Sequence, residues 1–246
     1  MPRARFAPIA SSFGRLPAAA LALLLACGSD DRQAPTLDDF VIEKLPENSG
    51  DKQVGVAGAP LGQDLRIRVT RDGEPVEGVT VYWSTFQGTM TPDIDLTDAD
   101  GISTSRWTTL YLYLEQESFA GLEPDTIPRA VSSILPHQVR FTAIAAPDPA
   151  ASNSIAVLND RFEPAALTVS VGDTVNWVWD PGAAAHNIVP DADAPGSSGP
   201  PTAYPKFLSF RFMIPGVYRY HCQVHGAPGG TGMSGIVTVQ PGATSD

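Results

Sequence analysis

From residue 36 onward, apolar and polar residues alternate along much of the chain with a period of two. This alternation is the pattern of half-buried β-strands, whose successive side chains point to opposite faces of a sheet. The clearest runs are "DLRIRVT", "VTVYWSTF", "HQVRFTAIA", "KFLSFRF" and "VYRYHC". Glycine-containing turn signals such as "RDGEPVEG", "TDADG" and "IPG" separate them. The pattern therefore predicts an all-β fold with many short strands.

A stretch rich in proline and alanine, "APDPAASNS", divides the predicted strands into two groups. We expect a first β domain over residues 36–146, a linker over 147–152 and a second β domain over 153–241, followed by a tail over 242–246. The second domain carries seven or eight predicted strands, the number typical of a small sandwich or barrel. Residues 111–138 lack a regular pattern, and we expect a loop, a short helix or an elaborated sheet edge there.

The N-terminus has the features of an export signal. Three arginines precede the apolar run "LPAAALALLLAC". The stretch "LLLACGSDD" resembles a bacterial lipoprotein signal, which implies cleavage after residue 26 and a lipid on Cys27. Residues 27–35 would then be a polar tether, and the protein would be exported and anchored to a membrane. An ordinary secretory signal with an incidental cysteine, or a short anchor helix, is the alternative.

Charge narrows the choice of partner. The formal net charge is −11, and removal of residues 1–26 leaves 13 basic against 27 acidic residues, a net of −14. So acidic a chain is an unfavourable partner for nucleic acid or anionic lipid. The negative charge would suit a basic partner protein or would simply keep the protein soluble.

The two cysteines are Cys27 and Cys222. If Cys27 carries lipid, no disulfide forms within the chain, and Cys222 is a lone thiol in an oxidising compartment. A metal that binds Cys222 as thiolate would protect it. Cys222 and His225 are three residues apart at the end of a predicted strand, and a turn there would let both face one point. Strand alternation directs His221 away from Cys222.

Two further candidate ligands come from elsewhere in the second domain. His186 lies at the end of a loop that enters a predicted strand, and Met233 follows the glycine-rich "GAPGGTG", just before the strand "GIVTV". Two imidazoles, a thiolate and a thioether suit copper, because a trigonal His₂Cys site with a weak axial Met is the arrangement of blue copper. Structural zinc usually uses more cysteines. A cysteine nucleophile activated by histidine remains open but leaves Met233 unexplained.

Residues 153–240 resemble the cupredoxins, the family of plastocyanin, halocyanin and auracyanin. The matching segments are "FEPAALTVSVGDTVNWVW", "HNIV" and "PGVYRYHCQVHGAPGGTGMSGIVTV". The resemblance implies a Greek-key β-sandwich or barrel with one type 1 copper held by His186, Cys222, His225 and Met233. It also implies that Asn187 braces the ligand loop. Seven residues separate His225 from Met233, where plastocyanin-like proteins usually have about four, so the axial contact of Met233 depends on how this insert folds.

The first domain resembles bacterial immunoglobulin-like domains of the invasin and intimin type. The resemblance rests on "GEPVEGVTVYWS", "TDADGISTSRW" and "VRFTAIA" and implies an immunoglobulin-like β-sandwich. Such a domain would serve as a spacer above the membrane or as an adhesin.

These features favour electron transfer by a type 1 copper protein that docks redox partner proteins near His225. A copper-binding or adhesion module with structural or stored copper is the alternative. We expect no enzyme activity, since copper oxidases and nitrite reductases need further copper centres. Only His137 and His221 remain for such centres.

Overall fold

The computed structural model describes residues 34–124 and 137–242. The described chain is almost entirely β, which confirms the predicted fold class, and its one short helical turn is the 3-10 helix Leu37–Asp39. No helix in these ranges is both long and apolar enough to cross a membrane. The predicted signal segment and Cys27 lie outside the described residues, as does most of the predicted C-terminal tail.

Ten strands precede the predicted linker in the residues that the structure describes. They are β1 (Val41–Lys44), β2 (Gln53–Val56), β3 (Leu65–Arg71), β4 (Glu74–Pro75), β5 (Thr80–Thr85), β6 (Gly88–Thr91), β7 (Ile94–Leu96), β8 (Ile102–Thr109), β9 (Leu114–Gly121) and β10 (Gln138–Ala146). One sheet has the order β1-β3-β8-β6, with β4 paired to β3, and the other has the order β2-β10-β9-β5-β7. We call these two sheets the N-terminal sandwich.

Eight strands follow the linker within the described part of the chain. They are β11 (Ser154–Leu158), β12 (Arg161–Glu163), β13 (Ala166–Ser170), β14 (Thr174–Trp179), β15 (Val189–Pro190), β16 (Phe207–Arg211), β17 (Gly216–Ala227) and β18 (Thr231–Gln240). Their sheets have the orders β12-β11-β14-β16 and β13-β18-β17-β15. We call these two sheets the C-terminal sandwich. Residues from Thr36 onward form one compact unit that contains both sandwiches.

Each sandwich has its own apolar core, built from the inward side chains of its two sheets. In β3 the alternation of the sequence becomes alternating burial, with Leu65, Ile67 and Val69 inside. Trp107 is fully buried in the N-terminal core, and Trp177 is fully buried in the C-terminal core. The strand β14 lies between β11 and β16 in its sheet, and five of its six residues are buried.

Two local expectations are wrong. Residues 114–121, predicted to be irregular, form β9, which lies between β10 and β5 within its sheet. The ladder to both neighbours and the burial of five of its eight residues stabilise this strand despite the weak pattern. His186 was expected at the start of a strand, but it makes only an isolated bridge with Thr202, and the strand β15 contains just two residues.

Candidate metal centre

Three of the predicted ligands converge in the C-terminal sandwich. His186 comes from the loop between β14 and β15, whereas Cys222 and His225 both come from β17. The Cys222 Sγ lies 3.7 Å from the Nδ1 of His186 and 3.6 Å from the Nδ1 of His225. The two Nδ1 atoms are 3.0 Å apart. His186 is more than thirty residues away from the other two in the sequence, but the fold places the three side chains next to one another.

An irregularity in β17 explains how two of its residues reach one point. The antiparallel register between β17 and β18 shifts between His221, which pairs with Ser234, and Gly226, which pairs with Gly232. Residues 222–225 of β17 therefore lie opposite a single residue of β18, Met233. Such a bulge bends the strand and re-aims its side chains. The predicted turn lies within the glycine-rich segment after His225, at residues 228–230, but β17 first continues to Ala227, so the bulge and not the turn brings Cys222 and His225 together.

Met233 occupies a different place from the one predicted. It lies inside β18 rather than before it, it is 1% exposed, and it belongs to the same buried cluster as Cys222. The register places Met233 across from the bulge that carries Cys222 and His225. The fold therefore brings the fourth candidate to the strand position opposite the segment that carries Cys222 and His225.

The seven residues between His225 and Met233 form a hairpin, 226–232, which extends the β17–β18 ladder by two pairs. Close backbone contact beyond the bulge requires glycine at both ends of the hairpin. A Cβ on Gly226 would lie 2.3 Å from the Met233 carbonyl oxygen, and Gly232 has a φ of +63°. The insert therefore forms two additional strand pairs and a turn, and Met233 stays opposite the bulge.

The donor geometry suits a first-row metal ion. Ligands that lie about 2.0–2.3 Å from such a metal are separated from one another by about 3.3–3.8 Å. Both sulfur–nitrogen distances fall in that range, and the 3.0 Å between the imidazole nitrogens of His186 and His225 is slightly shorter. The pKa of His186 is lowered mainly by the burial of its ring and next by the neighbouring His225. The lower pKa keeps this imidazole neutral and able to bind a cation.

Asn187 connects the two segments that carry ligand candidates, as predicted. Its Nδ2 donates to the Oε1 of Gln223 at 3.0 Å and to the carbonyl of Gly199 at 2.9 Å, and its Oδ1 accepts from the Gln223 backbone N–H at 3.0 Å. The residue after His186 is thereby bonded to the residue after Cys222. Hydrogen bonds of this kind hold ligands in orientation.

His221 and His137 lie apart from the donor group. The Nδ1 of His221 is 2.8 Å from the Oδ1 of Asp191, consistent with the prediction that His221 points away from Cys222. His137 Nε2 lies 3.1 Å from Asp38 Oδ1 in the N-terminal sandwich. The described histidines outside the cluster thus both face carboxylates.

Asp191 was not predicted by sequence reasoning. Its second oxygen, Oδ2, accepts from the backbone N–H of Gly229 at 2.8 Å. Burial alone would raise the pKa of Asp191, but the hydrogen bonds from Gly229 and His221 outweigh it, so the pKa lies below its usual value. The only sequence signal for this residue was its position five residues after His186, in a loop with no regular pattern.

The three converging donors differ in their access to solvent. His186 and Cys222 are completely buried, whereas the side chain of His225 is 33% exposed and its Nε2 lies 3.7 Å from Asp160. Val224, next to it, is exposed, as are Ala184 and Ala185 of the His186 loop. His225 is therefore the donor through which the buried group reaches the surface, beside exposed small apolar residues and the carboxylate of Asp160.

Comparison with known proteins gives sequence matches. Residues 150–240 match a family described as copper binding proteins, plastocyanin/azurin family. The chain is 35% identical over 107 residues to a plastocyanin of Prochlorothrix hollandica, covering 39% of this chain and 79% of that protein. It is 36% identical over 88 residues to a plastocyanin of Scenedesmus fuscus, covering 32% and 86%.

Solved structures give a further match. A purple cupredoxin from Nitrosopumilus maritimus is 28% identical, with a TM-score of 0.29, over 35% of this chain and 98% of that one.

Proposed function

Through residues 150–240 this chain belongs to the plastocyanin/azurin family of copper-binding proteins, and we propose that it carries single electrons between redox partner proteins. Its cofactor is one copper ion. The observation that supports the proposal is the convergence of one thiolate and two imidazole donors within 4.8 Å of one another. Met233 lies opposite the bulge that presents two of them.

His186, Cys222, His225 and Met233 would hold the copper ion as its four protein ligands. When bound, copper supplies a one-electron Cu(I)/Cu(II) couple. The chain supplies the rest. The bulge and the Asn187 hydrogen bonds hold the donors in one arrangement, so a change of charge requires little movement of protein atoms. Complete burial of Cys222 excludes water from the thiolate.

The partly exposed edge of His225 is the proposed route for electrons. Its ring is partly exposed, as are Val224 next to it and Ala185 next to His186, and its Nε2 lies 3.7 Å from Asp160. Such a surface suits brief docking with a small contact area, as electron-transfer complexes use. We assign electron transfer rather than catalysis because the remaining histidines bond to Asp38 and Asp191 and lie apart from the donor group.

The proposal includes location. The lipoprotein-like N-terminal sequence supports export and attachment to a membrane through lipid on Cys27. In the order of the chain, the N-terminal sandwich lies between Cys27 and the copper-binding residues.

Voltammetry of the copper-loaded chain tests electron transfer. We expect a reversible one-electron wave and retention of one copper per chain through repeated cycles. Loss of copper on reduction, or a wave that does not reverse, would contradict electron transfer and favour copper storage.

Replacement of Met233 by leucine tests the axial assignment. We expect the visible band to persist and the reduction potential to rise by about 59 mV or more, a tenfold change in the one-electron equilibrium. The potential rises because loss of the thioether and a more apolar surrounding both disfavour the more highly charged Cu(II). Met213→Leu is the matched control, since Met213 is 61% exposed. Equal potentials in the two variants would show that Met233 is not an axial ligand.

A further inference from the structure

The hairpin 226–232 lies between two proposed ligands, His225 and Met233, and has little apolar packing of its own. Residues 228–230 at its tip are exposed, and Gly229 and Gly230 both have positive φ values. Glycine-rich turns of this kind have many accessible conformations. Two ladder pairs, Gly226 with Gly232 and Ala227 with Thr231, join the two arms, so a contact from outside the hairpin would act on the exposed tip.

Asp191 supplies such a contact. It directly follows β15, which pairs with β17 through Val189 and His221. The backbone N–H of Asp191 donates to the carbonyl of Arg219 at 2.9 Å, so the residue is fixed beside β17. Its side chain is 16% exposed.

Both carboxylate oxygens of Asp191 are used, and they face different segments. Oδ1 lies 2.8 Å from the Nδ1 of His221, the residue immediately before Cys222. Oδ2 accepts from the backbone N–H of Gly229, at the tip of the hairpin after His225. Hydrogen bonds to a carboxylate are shorter and stronger than those between neutral groups. One side chain therefore connects the chain before the bulge to the chain beyond it.

We propose that Asp191 is a positioning residue of the metal centre, whose carboxylate holds the tip of the hairpin 226–232 to His221 and so sets the places of His225 and Met233 relative to Cys222. The inference rests on the proposed copper site. It also explains how this chain keeps an ordered centre with a long insert between His225 and Met233: the insert is bonded to a residue that β15 anchors.

The test compares Asp191→Ala with Asp193→Ala in the full chain. Asp193 lies two residues on in the same loop, is exposed, and has the same charge, so the control removes charge without the two bonds. In the metal-free protein we expect the amide of Gly229 to exchange hydrogen about tenfold faster in Asp191→Ala, because its bond to a charged acceptor is lost. Asp193→Ala is expected to match the unaltered chain.

The copper-loaded proteins give the second measurement. We expect Asp191→Ala to shift the position of the visible band and the reduction potential beyond any change in Asp193→Ala. Unchanged exchange at Gly229 would overturn the proposal, since the carboxylate would not hold the tip. Faster exchange with a band and potential equal to those of Asp193→Ala would also overturn it, because the tip would then not position the ligands.

Asp191→Asn covers the case in which the alanine variant does not fold. Asparagine keeps the shape but replaces the carboxylate by a neutral amide, so Gly229 is left with at most the weaker hydrogen bond of a neutral acceptor. The same two criteria then apply to it, with Asp193→Asn as control. An unaltered chain that shows no visible band with copper would overturn the proposed function itself, whereas the metal-free exchange reports separately on whether Asp191 holds the hairpin.

Discussion

Replacement of Cys222 by serine is expected to abolish the intense visible absorption of the copper-loaded chain. That absorption arises from charge transfer between a thiolate and Cu(II), and the thiolate is the form in which cysteine binds a metal. The Sγ of Cys222 lies within 3.7 Å of both candidate imidazole nitrogens and is completely buried. Serine has a similar size, so the fold is retained while the soft donor is lost. Absorption spectroscopy of the Cu(II)-loaded variant gives the measurement.

The chain's other cysteine provides the matched control. Cys27→Ser should keep the visible band, because the proposed role of Cys27 is lipid attachment, and it should move the protein from the membrane to the soluble fraction. If the band survives in Cys222→Ser, or disappears in Cys27→Ser, the assignment of the thiolate is wrong.

Truncation of Trp177 to alanine is expected to destabilise the C-terminal sandwich by about 3–5 kcal/mol, the usual cost of removing a large aromatic side chain from a core. Trp177 is completely buried, and its ring meets Tyr220 edge to face at a centroid distance of 5.3 Å. Tyr220 is two residues before Cys222 on β17, so both point into the same core. Urea unfolding of the metal-free chain measures the loss, and the copper affinity should fall with it.

Trp107→Ala separates this effect from a general loss of stability. Trp107 is equally buried but lies in the core of the N-terminal sandwich. We expect a comparable loss of stability in that sandwich and an unchanged visible band. A fall in copper affinity in Trp107→Ala as large as in Trp177→Ala would contradict the separation of the two cores.

The strands with clear alternation were predictable from sequence, because burial of one face requires that pattern. "DLRIRVT" corresponds to β3 and "KFLSFRF" to β16, each within a residue or two. β9 was missed because its buried residues do not alternate with exposed ones. The consecutive residues Phe119, Ala120 and Gly121 are all buried. Pairing on both sides, which local sequence does not contain, makes this segment a strand.

At the candidate centre, residue types predicted the cluster and its chemistry but not its geometry. The spacing of Cys222 and His225 suggested a turn, whereas the fold uses a bulge against β18. That bulge depends on the register between two strands, a property of their pairing rather than of either sequence. Asp191 was missed for a similar reason. Its contacts with His221 and Gly229 span 30 and 38 residues, and an isolated aspartate in a loop gives no signal for them.

The most direct test of the account is the absorption spectrum of the chain titrated with Cu(II). We predict an intense visible band that saturates at one copper per chain and disappears when ascorbate reduces the metal. A chain that stays colourless with Cu(II), and that binds Zn(II) more tightly instead, would contradict the proposal of a blue copper centre at His186, Cys222 and His225.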